Sequence, residues 1–177
     1  MQLLPNMNAR RQLTQSLCLT KLENMGKSFG SIIGLFFLFA SSVKPLACPL
    51  VLPTATISIK GYTLTVELAT TPAARACGMS HRDELPENHG MLFIFPDSRP
   101  RSFWMKDTKI FLSIAFLDDS GQIFSIQDMI PMRTDGFYDS SRPASYALEV
   151  NQGWFNKHGI YVGDVVEMKL PALLEVR

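Results

Sequence analysis

Apolar and polar side chains alternate between Thr56 and Ala69, with Ile57, Ile59, Leu64, Val66 and Leu68 as the apolar members and Lys60-Gly61 in the middle. A period of two places such residues in one row on an extended chain, whereas a helix would spread them around its circumference. The stretch therefore predicts an antiparallel hairpin around Lys60-Gly61. Met91 to Phe95 is instead apolar at every position and is bounded by Gly90 and Pro96. That is the length and composition of a central strand buried on both faces.

Turn residues divide the rest into further short strands, expected at Ser102–Met105, Ser113–Leu117, Gln122–Met129, Ser145–Val150 and Val165–Leu170. Asp118-Asp119-Ser120-Gly121 reads as the turn between two of them, with its paired carboxylates in solvent. Helical signals are local. Thr70-Thr71-Pro72 supplies a capping hydroxyl and a proline for the first turn, which predicts a short helix from Ala73 to about Met79, followed by a loop at Pro86–Gly90. Trp154 to His158 reads as one helical turn ended by Gly159. No strand–helix alternation recurs, so the expected fold is mainly β: an antiparallel β-sandwich or flattened barrel, jelly-roll-like, with one or two short helices.

Two regions of different charge make up the chain. Residues 1–48 carry five Lys or Arg (Arg10, Arg11, Lys21, Lys27, Lys44) against Glu23, which leaves twelve basic and fifteen acidic residues in the remainder. An acidic body lacks the basic stripe that neutralises phosphates, which argues against nucleic-acid binding. Residues 49–177 are read as a single β-rich domain, large enough to bury a core of its own without metal or disulfide staples.

Residues 1–48 are read as a leader. Sixteen uncharged residues lie between Lys27 and Lys44, with Ile32 to Ala40 nearly all bulky and apolar. That length suits a signal-peptide core better than a spanning helix, which needs ~20 apolar residues. Met25-Gly26-Lys27 would form a compact positive start, so Met25 is the expected true initiator; Arg10-Arg11 stands too far upstream for a twin-arginine address. Leu46-Ala47-Cys48 resembles the end of a bacterial lipoprotein box, with Pro45 where leucine is usual, so lipidation of Cys48 is one reading. A Cys48 to Cys77 bridge in an oxidising compartment is the other, and spacing alone does not decide between them.

From Glu67 to Met168 a longer string stands in order: Arg75-Ala76-Cys77-Gly78, Arg82, Leu85-Pro86, Gly90 to Phe95, Phe103 to Thr108, Ile114-Ala115-Phe116, Leu148-Glu149-Val150 and Gly163-Asp164. In these residues the chain resembles the bacterial and archaeal family called domain of unknown function 192. The resemblance implies a mostly β, jelly-roll-like sandwich in an exported or envelope setting, and implies no agreed activity. Ser80 stands where the family usually has methionine, Asp107 where it has asparagine and Ser113 where it has aspartate. If that aspartate were a general base, this chain would lack it.

Candidate ligand-binding residues are Arg75, Arg82, Trp104, Lys106, Asp107, Thr108 and Glu149. Trp104 to Thr108 sets an amphipathic ring, a cation and two short polar groups at a strand end, which suits sugars or peptide backbones; the alternative is a core tryptophan beside a hydrogen-bonded loop. Arg75 and Arg82 are seven apart, so two helical turns would put them on one face, with Glu149 as their natural internal partner or a ligand carboxylate or phosphate as the target. Cys77, His81 and His89 lack a matching fourth ligand, and neither a nucleophile elbow nor a glycine-rich phosphate cradle is present, so no metal, cofactor or catalytic residue is assigned.

The expected protein is thus exported, periplasmic or envelope-associated, and meets the membrane only through its leader or a lipid on Cys48. Its expected role is a non-catalytic binding module for a saccharide, peptide or lipid-linked ligand, its partner a small molecule, glycan or envelope protein. The alternatives are an enzyme of unknown reaction acting on envelope polymers, with Glu149 and Asp107 as acid-base candidates, and a structural or assembly partner in the periplasm.

Overall fold

The computed structural model describes residues 47–172 and 174–177. The leader with its start at Met25 and its apolar core lies outside the described residues. Among the described residues no helix is long and apolar enough to cross a membrane.

The fold is mainly β. Strands β1 (Thr54–Ile59) and β2 (Tyr62–Ala69) form the hairpin, which turns on Lys60 and Gly61, both at positive φ (52° and 84°). Helix α1 (Pro72–Cys77) follows, then β3 (His89–Arg99), β4 (Ser102–Phe103), β5 (Leu112–Leu117), β6 (Ile123–Met129), β7 (Tyr138–Asp139), β8 (Ala144–Asn151), α2 (Trp154–Lys157) and β9 (Val166–Met168). Seven strands make one sheet in the order β6-β5-β8-β3-β2-β1-β9, and β4 and β7 pair separately. The large sheet curls into a half-barrel. Its two edge strands are stitched where Gln122 pairs Val165 and the Ile123 N–H donates to the Asp164 carbonyl at 2.9 Å.

Sequence periodicity located the long strands to within a few residues, but missed β7 and one pairing. β2 and β3 run parallel, joined through α1, while all the other pairs are antiparallel. The expected helix to Met79 also stops early. Thr71 caps α1 by accepting from the Ala74 N–H at 3.1 Å, and Gly78 at φ 49° ends it after Cys77. Arg82 is therefore outside any helix, so the expected shared helical face for Arg75 and Arg82 does not exist.

Both faces of the central strands are buried. One face carries Leu64, Val66, Leu92, Ala115, Leu148 and Val150, closed off by Trp154 and Phe155 of α2. The opposite face carries Met91, Phe93, Ile114, Phe116 and Ala147 and is covered by Ala74 of α1, Met79, Met105 and Tyr138. Strict alternation on β3 and β8 sends Glu149 to this second face. Register then sets Glu67, Met91, Glu149 and Ile114 in one row across β2, β3, β8 and β5.

Gly90 permits that row to close. A Cβ there would stand 2.6 Å from the Glu149 carbonyl oxygen and 3.1 Å from a Val150 methyl. Backbone cannot move aside as a flexible side chain can, so Gly90→Ala is expected to destabilise the fold by about 1–3 kcal/mol. Urea denaturation checks this, and a variant of unchanged midpoint would show that β3 and β8 can separate without cost.

Candidate functional site

A cavity of about 210 Å³ opens on the second face, between the exit of α1, the loop after β4 and strands β3 and β8. Its outer wall is the segment from Trp104 to Thr108. Met105 is buried and anchors that segment in the core, while the flanking Trp104 is left 50% exposed. The Trp104 ring lies nearly parallel to that of Phe137, 6.3 Å between centroids and 14° between planes, and the Lys106 ammonium stands 5.5 Å from the Trp104 ring centre. This tryptophan is a surface platform, not a core filler.

Short-range bonds hold the wall in place. Thr108 is buried; its Oγ1 donates to the Lys106 carbonyl at 3.2 Å, and its own carbonyl accepts from the Met132 N–H at 2.9 Å. Asp107 sits at φ 55°, and its carbonyl accepts from the His81 N–H at 2.8 Å, which ties the wall to the residues after α1. Ser80 Oγ donates to the Cys77 carbonyl at 2.5 Å. Thr108 thus does what the loop-tying reading expected of its side chain, whereas Asp107 contributes through its backbone.

Glu149 lines the inner end of the cavity and is 5% exposed. Among the described residues no hydrogen bond reaches its carboxyl. Burial pushes that carboxyl up to about 8, with the Arg82 charge pulling the other way. At neutral pH it is an acid, able to donate one hydrogen bond and accept others.

The two arginines have structural partners. Arg82 grips Glu67 through its two terminal guanidinium nitrogens, at 2.5 and 2.8 Å, rather than Glu149. Glu67 lies on β2 and Glu149 on β8, either side of β3, and the chain leaving α1 brings Arg82 to the β2 side. The expected arginine–glutamate pair therefore forms with the neighbouring glutamate. Arg82 Nε is buried without a partner among the described residues, and the side chain faces a different groove, shared with Leu50, Leu52 and Leu85. Arg75 donates to the main-chain oxygens of Thr70, Ile94 and Arg177 at 2.7, 2.9 and 2.5 Å. It lines the cavity, but its donors are engaged in holding the middle of β3 and Arg177 to the segment around α1.

Cys48 and Cys77 form a disulfide, and both line the cavity. Sequence spacing left this bridge open. With the Cys77 sulfur bonded, it offers no thiolate to a metal beside His81, and among the described residues no group of three His, Cys, Asp or Glu is placed to hold an ion. Ser113 points to the opposite face of the sheet, where its Oγ donates to Asp128 at 2.5 Å and accepts from the Gly153 N–H at 2.9 Å. Position 113 therefore serves the start of α2 and not the cavity. That Glu149 has no hydrogen bond among the described residues, and that Phe137 stacks on Trp104, was not readable from spacing, although an acid at an inward position of an apolar strand was a usable signal.

Glu149 gives stability a signed pH dependence. A glutamate in the unfolded chain titrates near 4.5 and this one near 8, so between these values the folded state holds more protons and stability falls as pH rises. The slope is on the order of 1 kcal/mol per pH unit. Urea unfolding from about pH 5 to 8 is expected to show this slope in the wild type and its loss in Glu149→Gln; parallel curves would remove the proton from Glu149.

No protein curated for function matches the chain. Similar crystal structures include the following two. One, from Sinorhizobium meliloti 1021 and provisionally named a transcription regulator, is 33% identical with a TM-score of 0.63, over 68% of this chain and 97% of that one. The other, a protein of unknown function from Novosphingobium aromaticivorans DSM 12444, is 30% identical with a TM-score of 0.64, over 69% and 94%. Residues 55–168, which hold every strand of the half-barrel except the first residue of β1, match the DUF192 family, described as uncharacterized ACR. The chain belongs to that family.

Proposed function

We propose that this chain is an exported envelope protein that binds a saccharide ring or chain end in the cavity beneath Trp104, without catalysing a reaction. One observation carries the reading: a half-exposed indole stands beside a cavity at whose inner end a protonated carboxyl has no hydrogen-bond partner among the described residues. Sugars present apolar ring faces to aromatic platforms and hydroxyls to groups that both donate and accept. The volume, about 210 Å³, is below the ~300–1,000 Å³ of sites for drug-sized ligands. It suits one ring, with the rest of a chain outside on Trp104 and Phe137.

Export is supported by the apolar stretch between Lys27 and Lys44 and by the Cys48–Cys77 disulfide, a bond that persists in oxidising compartments. A sulfur bonded to Cys77 cannot also carry a lipid thioether, which favours a released periplasmic form over a lipid-anchored one. The acidic body argues against nucleic acid as partner, and the regulator's name stays with its own protein.

Glu149 also supports a second reading, as the general acid of an envelope-polymer hydrolase, because a carboxyl that keeps its proton at neutral pH is what such chemistry needs. The two readings separate on turnover. Calorimetric titration of the purified protein with monosaccharides and peptidoglycan fragments is expected to give saturable binding with no product. Trp104→Ala should weaken it by about tenfold, the ~1.4 kcal/mol scale of one aromatic contact, with an unchanged melting temperature. Absence of heat across the panel would overturn the binding site, and released product abolished by Glu149→Gln would replace it with the hydrolase.

A further inference from the structure

The disulfide and the acid share one cavity. Cys48, Cys77 and Glu149 all line it, yet the two sulfurs are not equivalent. Cys77 ends α1 and is 4% exposed, whereas Cys48 lies half-buried in the segment ahead of β1. A reagent entering from solvent meets the Cys48 half first. We propose that this disulfide is a thiol-exchange site, in which a low-molecular-weight thiol forms a mixed disulfide with Cys48, Cys77 departs, and Glu149 gives Cys77 its proton.

The step balances without an external oxidant. The entering thiolate attacks Sγ of Cys48, a new sulfur–sulfur bond forms there, and the Cys48–Cys77 bond breaks with its electron pair on Sγ of Cys77. A thiolate as deeply buried as Cys77 is a poor leaving group until it is protonated. Glu149 is the buried acid of the same cavity, and the carboxylate it becomes is favoured by the charge of Arg82. Reversal returns the proton, closes the disulfide and releases the thiol. While it is open, the segment carrying Leu50 and Leu52, which pack on the α1 side of the core, is no longer tied to α1. The proposal uses the geometry of the cavity and stands whether or not a saccharide binds there.

The test uses purified oxidised protein and reduced glutathione, quenched in acid and read by intact mass and non-reducing peptide mapping. One glutathione on Cys48 with a free Cys77 thiol is expected, reversed when glutathione is removed. The rate per thiolate should drop at least about tenfold in Glu149→Gln, the low side of what a positioned acid supplies, and be largely retained in Glu149→Asp. In the wild type that normalised rate should decline as pH passes about 8. An adduct on Cys77, an adduct only in denaturant, a lipid thioether on Cys48, or equal rates in wild type and Glu149→Gln would overturn the proposal. Should Glu149→Gln fail to fold, a normalised wild-type rate that stays flat across about pH 8 overturns it alone.

Discussion

Residues 90–94 of β3, all of β5 and residues 147–150 of β8 meet protein on both faces, so a side chain there is buried whichever way it points. For Leu92, Phe93, Ile114 and Leu148 that burial is the source of stability, because each removes apolar surface from water. Glu149 obeys the same geometry with the opposite chemistry. A charged carboxylate there would lose its hydration without a hydrogen bond in return, and keeping its proton is the less costly state. The neighbouring glutamate is placed differently: Glu67, partly open to solvent on β2, has Arg82 as a direct partner.

The cavity exists because four segments converge on one patch of sheet and none of them fills it. The exit of α1 is turned by Gly78, where a Cβ would come to 3.5 Å from the Phe93 ring. The wall from Trp104 to Thr108 is pinned by Met105 below and by backbone bonds at Asp107 and Thr108. The half-cystine Cys48 enters from the other side, and β8 supplies the inner end. Most of these ties are main-chain or covalent, so the placement of Trp104 depends little on its own side chain, and the ring is left free to meet solvent or a ligand.

Much of the fold could be read from the chain alone, because hydrophobic period is a local property. The alternation from Thr56 to Ala69 located the first hairpin, the run Met91 to Phe95 located a strand buried on both sides, and Thr71 with Pro72 marked the start of α1. Where sequence reasoning missed a strand pairing, the deciding contact was distant in the chain. Period does not tell a parallel neighbour from an antiparallel one, so the β2–β3 pairing was invisible. Seven-residue spacing suggested a common face for Arg75 and Arg82 only while the helix was assumed to continue, and Gly78 ends it.

The site was legible by residue type and not by partnership. Trp104, Lys106, Asp107, Thr108 and Glu149 were identifiable as unusual for their positions, and the structure gathers them around one cavity. The sequence by itself determined the alternation, the turns and the charge balance, since these depend on neighbours a few residues away. Only the tertiary structure decided that Arg82 takes Glu67, that Cys48 meets Cys77 and that the Glu149 carboxyl is buried and pushed up to about 8. Those outcomes follow from strand order and loop path, which bring together residues 15 and 29 positions apart and set which of two similar groups is within reach.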